Sequence, residues 1–244
     1  MIKFFRTIRR KLLSENHFSK YLLYAIGEIV LVVIGILLAL QINTWNEARK
    51  ERKLESDILH NLQKDLIYNS SIIEAVRKSD SIIVAKNQGL LKILEDPESS
   101  YNDSLENYFG RISRYNVFYP RKMSYEVLKT RGLGIIKNDS LRSEIIKLYD
   151  ETYHLNAHML DLKRDLHLHS LSINNKRLKT LKSVALKSPN NFEALKSDSE
   201  FLNNLSYITA ESINFLDHYK SILTTTNSVE KLISEELSKK QKAD

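Results

Sequence analysis

The chain contains no cysteine, only three prolines and six glycines among 244 residues, and a single tryptophan. Without cysteine there can be no disulfide, no thiolate nucleophile and no Cys-ligated zinc or iron–sulfur site. The absence suits an oxidising compartment without requiring one. So few prolines and glycines leave long stretches with no chain breaker, and Leu, Ile, Lys, Glu and Ser recur there at helical spacing, which points to long helices. No Gly-x-Ser-x-Gly, P-loop or dinucleotide fingerprint occurs. Ser, His and Asp all fall within helical periodicity, with no strained turn to expose a nucleophile. The expectation is a protein that is not an enzyme and calls for no cofactor.

What is present is one long apolar run, YLLYAIGEIVLVVIGILLALQINTW, from Tyr21 to Trp45. Its apolar part, Tyr21 to Ile42, at about 1.5 Å per residue crosses a hydrocarbon core of about 30 Å. A cleaved signal peptide would have a shorter apolar core and a small-x-small exit, whereas this run leaves through Leu40-Gln41-Ile42-Asn43. A buried soluble helix is disfavoured because Leu22–Leu40 has no polar face. The run therefore reads as a transmembrane helix with the lipid bilayer as partner. Six basic residues precede it (Lys3, Arg6, Arg9, Arg10, Lys11, Lys20) and four follow (Arg49, Lys50, Arg52, Lys53). That margin places the N-terminus in the cytoplasm and the C-terminal part in the periplasm, for a single-pass protein of the inner membrane.

The net charge of +7 dissolves on inspection. Residues 1–20 hold six bases and one acid, +5, so only +2 remains elsewhere. The basicity belongs to the tail, where it meets anionic headgroups, and nucleic acid is not an expected partner. Ile2, Phe5, Ile8 and Leu12 share one face of that tail, either as an interfacial helix or as a disordered basic stop signal. Within the anchor, Glu28, Gly35 and Ala39 lie on one stripe. Gly35-x-x-x-Ala39 permits close helix approach, and the Glu28 carboxyl would either find a partner helix or snorkel.

The stretch FSKYLLYAIGEIVLVVIGILLALQINTWNE, residues 18–47, resembles the signature of an uncharacterised, domain-of-unknown-function family of single-pass membrane proteins of Bacteroidota. Tyr125-Glu126-Val127-Leu128-Lys129, Gly132-Leu133-Gly134-Ile135-Ile136 and Asn138-Asp139-Ser140-Leu141-Arg142 are similar to that family's middle segment. The resemblance implies an N-terminal anchor and a helical region after it. It implies no activity and no catalytic residues.

The fold class expected is all-α: one N-terminal transmembrane helix, then an antiparallel bundle of long helices with coiled-coil-like seams. The divisions are a basic tail (1–20), the anchor (21–45), a juxtamembrane long helix (46–96), a connector with a short helix and aromatic cluster (97–138), and two long helices (139–240). The first seam runs Leu66, Asn69, Ile73, Val76, Asp80, Ile83, Asn87, Leu90, Leu94. The second runs Leu141, Ile145, Leu148, Thr152, Leu155, Met159, Leu162, Leu166, His169, Ile173, ending between Leu181 and Pro189. A capping box, Ser197-x-x-Glu200, opens the third, which runs Phe201, Leu205, Ile208, Ser212, Phe215, Tyr219, Ile222, Thr226, Val229, Ile233. The polar residues in these seams fit packing specificity, water or a ligand equally well.

Two constellations bear on function. Glu151, His154, His158 and Asp161 share a helical face with His at i and i+4, as metal ligands require. Leu155, however, occupies the place where a zinc protease has its Glu, and a solvated face is the plainer reading. Tyr115, Phe118, Tyr119 and Tyr125 form an aromatic zone that either lines a pocket or packs the end of the bundle. The functional expectation is a membrane-anchored scaffold or interaction module of the cell envelope, associating with itself or with other envelope proteins. The alternative is an extracytoplasmic ligand or stress sensor that signals through a partner.

Overall fold

The computed structural model describes residues 18–112 and 114–241. The amphipathic face formed by Ile2, Phe5, Ile8 and Leu12 lies outside the described residues. Helix α1 spans Phe18–Glu95. It stops where Asp96 precedes Pro97, because the proline ring disfavours helical geometry in the residue before it. The chain divides into two compact units, residues 1–55 and 56–244. In the first, the large apolar side chains of described burial between Leu22 and Trp45 are exposed, Leu31 at 73% and Leu40 at 58% among them.

Among the described residues, the second unit is built from the rest of α1 and eleven further segments of regular structure. After a 3-10 turn (Asp103–Leu105) capped by Asn102, the short helix α2 covers Glu106–Phe109. Helix α3 (Met123–Arg131) ends at Gly132, whose φ of 106° lies where residues bearing a Cβ are strained. Asn138 caps α4 (Asp139–Ile146) by accepting from Leu141 N at 3.1 Å. A π segment, Lys147–Thr152, leads directly into α5 (Tyr153–Asn174). A two-stranded antiparallel hairpin, β1 (Leu178–Thr180) and β2 (Lys187–Pro189), is followed by α6 (Phe192–Lys196) and α7 (Ser199–Gln241).

The expected all-α class holds, the hairpin being its only strands among the described residues. Every residue of the first seam, Leu66 to Leu94, is buried, and so is the third seam apart from half-buried Ser212. The second seam is re-phased. The π segment inserts one residue into the helical register. Beyond it Tyr153, Asn156, Leu160 and Lys163 turn inward, while Leu155 and Leu162 are 56% and 46% exposed. His169 is exposed as well. The second helix also ends earlier than its periodicity suggests, at Asn174, and the hairpin occupies the stretch where its end was expected. The cap of α7 is Asp198, which accepts from Phe201 N at 3.0 Å. Ser197 instead donates back to Ala194 O, and Glu200 takes the Arg177 guanidinium at 2.5 Å.

Two apolar clusters result. One gathers Leu59, Leu62 and Leu66 with Tyr125, Ile145, Tyr153 and the C-terminal half of α7. The other gathers Leu90 and Leu94 with Phe109, Leu178, Phe192 and the start of α7. Each fully buried Leu contributes about 1.5–3 kcal/mol. In sequence order, polar buried residues fall between the two sets: Asp80 and Asn87 on α1, Lys163 and Ser170 on α5, and Thr209 on α7.

Candidate functional site

Several of the buried polar residues have a structural role. Residues 114–122 adopt no regular secondary structure, yet Phe118 among them is fully buried. Backbone groups in such a segment must find partners elsewhere. Asn69 accepts from Arg121 N at 2.8 Å and donates to Arg121 O at 3.2 Å, closing a two-bond clamp. Asp65 accepts from Ser124 N at 3.1 Å, and Asn156 donates to Phe118 O at 3.0 Å. Asp80 accepts from Asn116 N and from its side-chain Nδ2, at 3.3 and 2.7 Å. Lys163 completes this group, donating to Asp80 Oδ2 at 2.5 Å and to Asn116 O at 2.9 Å. Its ammonium also lies 5.0 Å from the ring centroids of Phe215 and Tyr219. Burial lowers the Lys163 pKa, and the Asp80 charge works against that shift. Asp65, Asn69, Asp80, Asn156 and Lys163 thus hold the connector in place, whereas Ser170 accepts from Asn204 and Thr209 donates to Leu205 O.

Aromatic rings fill the space around this clamp. Tyr125 stacks on Tyr149 (4.4 Å, 7°), which meets Tyr153 edge-on (5.2 Å, 88°), and Tyr153 meets Phe118 at 5.8 Å. The Tyr125 hydroxyl donates to Asp150 at 2.7 Å, and that bond with burial pushes its pKa well up. Burial pushes Tyr153 up to about 12, although bonding to Thr226 and Asn69 opposes the shift. These phenols stay neutral at physiological pH.

Of the four aromatic residues singled out in the sequence, Phe118 and Tyr125 are core. Tyr119 is 71% exposed. Tyr115 packs its ring 4.6 Å from that of His167 and lines a small cavity of about 40 Å³ with Lys163 and Phe215. A second cavity, about 370 Å³, shares Arg114 and His167 with the first and is otherwise lined by Gly110, Leu171, Asn175, Thr180, Val184 and Lys187. Lys163, Arg114 and Lys187 carry no sequence signal. Lys163 faces inward only because of the π insertion, and the other two line one cavity only through the hairpin.

Glu151, His154, His158 and Asp161 all lie exposed on one side of the helix. The two imidazoles approach to 3.3 Å between Nε2 atoms, and Asp161 pairs with Arg164 at 3.3 Å. No group of three or more His, Cys, Asp or Glu arranged to hold a metal ion occurs among the described residues. In the first unit, a Cβ added at Gly35 would meet nothing within 4 Å.

His218 offers a pH test. It is half-buried, its Nε2 has no hydrogen-bond partner, and burial followed by the Lys163 charge lowers its pKa below 6.5. The unfolded chain then binds the proton more readily, so stability is complete above 6.5 and falls as pH drops toward the folded value. The melting temperature followed by circular dichroism should fall as pH drops below about 6.5, and His218→Gln should flatten that fall. An identical fall in the variant would remove His218 from the account.

Fold and site together define a helical protein with, among the described residues, one helix long and apolar enough to cross a membrane and a helical unit in which five buried polar side chains hold its connector. A family model described as a family of unknown function, DUF6090, matches residues 28–217, and the chain belongs to that family. No curated protein and no solved structure matches it.

Proposed function

We propose that the chain is a single-pass, non-enzymatic protein of the inner membrane that presents its helical unit in the periplasm as an interaction module for envelope proteins. The observation that carries this reading is the apolar part of α1. An 18-residue window there has a mean hydropathy of 2.6 and none of it is buried. Such a surface is stable only in lipid or against another apolar helix. The six-to-four excess of flanking bases supports a cytoplasmic N-terminus. Glu28, Gly35 and Ala39, on one stripe of that helix, are where a second anchor would pack. The interaction reading is also supported by the use of Asp65, Asn69, Asp80, Asn156 and Lys163, whose buried polar side chains bond to the connector.

Alkaline phosphatase fused after Asp244 is expected to be active in a Gram-negative host, while a fluorescent protein that matures only in the cytoplasm stays dark. The reverse pattern would overturn the periplasmic assignment. A second reading, an extracytoplasmic sensor that signals through a partner protein, is favoured by the cavity of about 370 Å³.

A further inference from the structure

Lys187 is only 8% exposed, yet among the described residues no carboxylate and no hydrogen-bond acceptor pairs with its ammonium. It sits on β2 opposite Thr180 and lines the cavity of about 370 Å³. Burial of the side chain lowers its pKa, so holding its charge there is costly without an anionic neighbour. Arg114, exposed on the rim of the same cavity, is likewise without an ion-pair partner among the described residues. Asn175 and Thr180 add neutral hydrogen-bonding groups, and Leu171 and Val184 an apolar wall. Two unpaired cations converging on one space, with no acid among its lining residues, suit a negatively charged group. The volume is that of a small-molecule site.

The geometry points to a binding site for a small organic anion, whose carboxylate or phosphate lies between Lys187 and Arg114 and whose apolar part rests on Leu171 and Val184. The guanidinium supplies paired donors and the ammonium a point charge, a combination suited to either oxyanion. This inference concerns the cavity alone and stands whether the module serves as scaffold or sensor.

The test is titration calorimetry of the full chain in detergent with benzoate and phenyl phosphate, using benzyl alcohol as the neutral control. At least one anion should bind, and benzyl alcohol should bind more weakly. Whichever anion is tighter tells a carboxylate from a phosphate ligand. Lys187→Met should lower affinity by about tenfold or more, the effect of losing a charge-assisted hydrogen bond. Its melting temperature should not fall, because the substitution removes an unpaired buried charge and keeps the length of the chain. Lys187→Arg should retain binding. Arg114→Gln, on the exposed rim, should weaken binding without affecting the fold, and so tests the site even if position 187 proves structurally sensitive. If the Lys187 ammonium merely reaches solvent through the opening, neither anion will bind better than benzyl alcohol. That result, or anion binding unchanged in both Lys187→Met and Arg114→Gln, overturns the proposal.

Discussion

Asp80→Leu is expected to cost the helical unit about 3–5 kcal/mol, the loss typical of stranding one member of a buried ion pair. Asp80 and Lys163 are 3% and 5% exposed, so water cannot take over from the lost partner. The substitution leaves the Lys163 ammonium buried with one carbonyl and two aromatic rings. It also releases Asn116, both of whose bonds to Asp80 hold the connector. For a domain of this size such a loss corresponds to a melting temperature lower by roughly 10 °C. The double variant Asp80→Leu, Lys163→Met should recover part of the loss, because two apolar groups of similar volume need no mutual compensation. Circular dichroism melts of the full chain in detergent measure both. A single variant within about 1 kcal/mol of wild type would mean that the pair is solvated, as exposed pairs are, and that the connector is held by other contacts.

The sequence carried the helices better than their register. The seams of α1 and α7 were legible because an unbroken alternation of three and four residues leaves only one face to bury, even through Asn69, Asp80 and Thr226. The helix from Asp139 to Asn174 was legible as a helix but not in phase. A π insertion has no composition of its own, and one extra residue exchanges Leu155 and Leu162 for Asn156 and Lys163. The hairpin was missed because its strands are only three residues long and half polar. That omission hid the cavity as well, since Lys187 and Arg114 line one space only when the hairpin folds onto α2. The polar seam residues were visible as anomalies, but their purpose was not. It depended on where residues 114–122 would run, and an irregular segment has no period to read. The anchor lies at the opposite extreme, being legible from composition alone.

Gly110→Ala is expected to be the most damaging small substitution in the hairpin region. A Cβ at this position would lie 2.0 Å from Ala185 O and 2.3 Å from Ala185 C. Both are backbone atoms, which cannot rotate aside as a side-chain tip does, so the strand-connecting loop must move as a body. That movement pulls β2 away from α2 and opens the cluster that holds Leu178, Phe109 and Phe192. The cost should reach about 3 kcal/mol, the upper end of what overpacking exacts. The damage should also be local. Trypsin should cut after exposed Lys182 much faster in the variant, while the cluster built on Leu62 and Tyr153 keeps its protection. Gly134→Ala is the matched control, since a Cβ there meets nothing within 4 Å and the backbone has no positive φ. It should melt with the wild type. If Gly110→Ala also melts with the wild type and Lys182 stays resistant, the loop does not rest on Gly110. The enclosed position of Lys187 would then lose its support, because the packing of β2 against α2 is what closes the cavity over it.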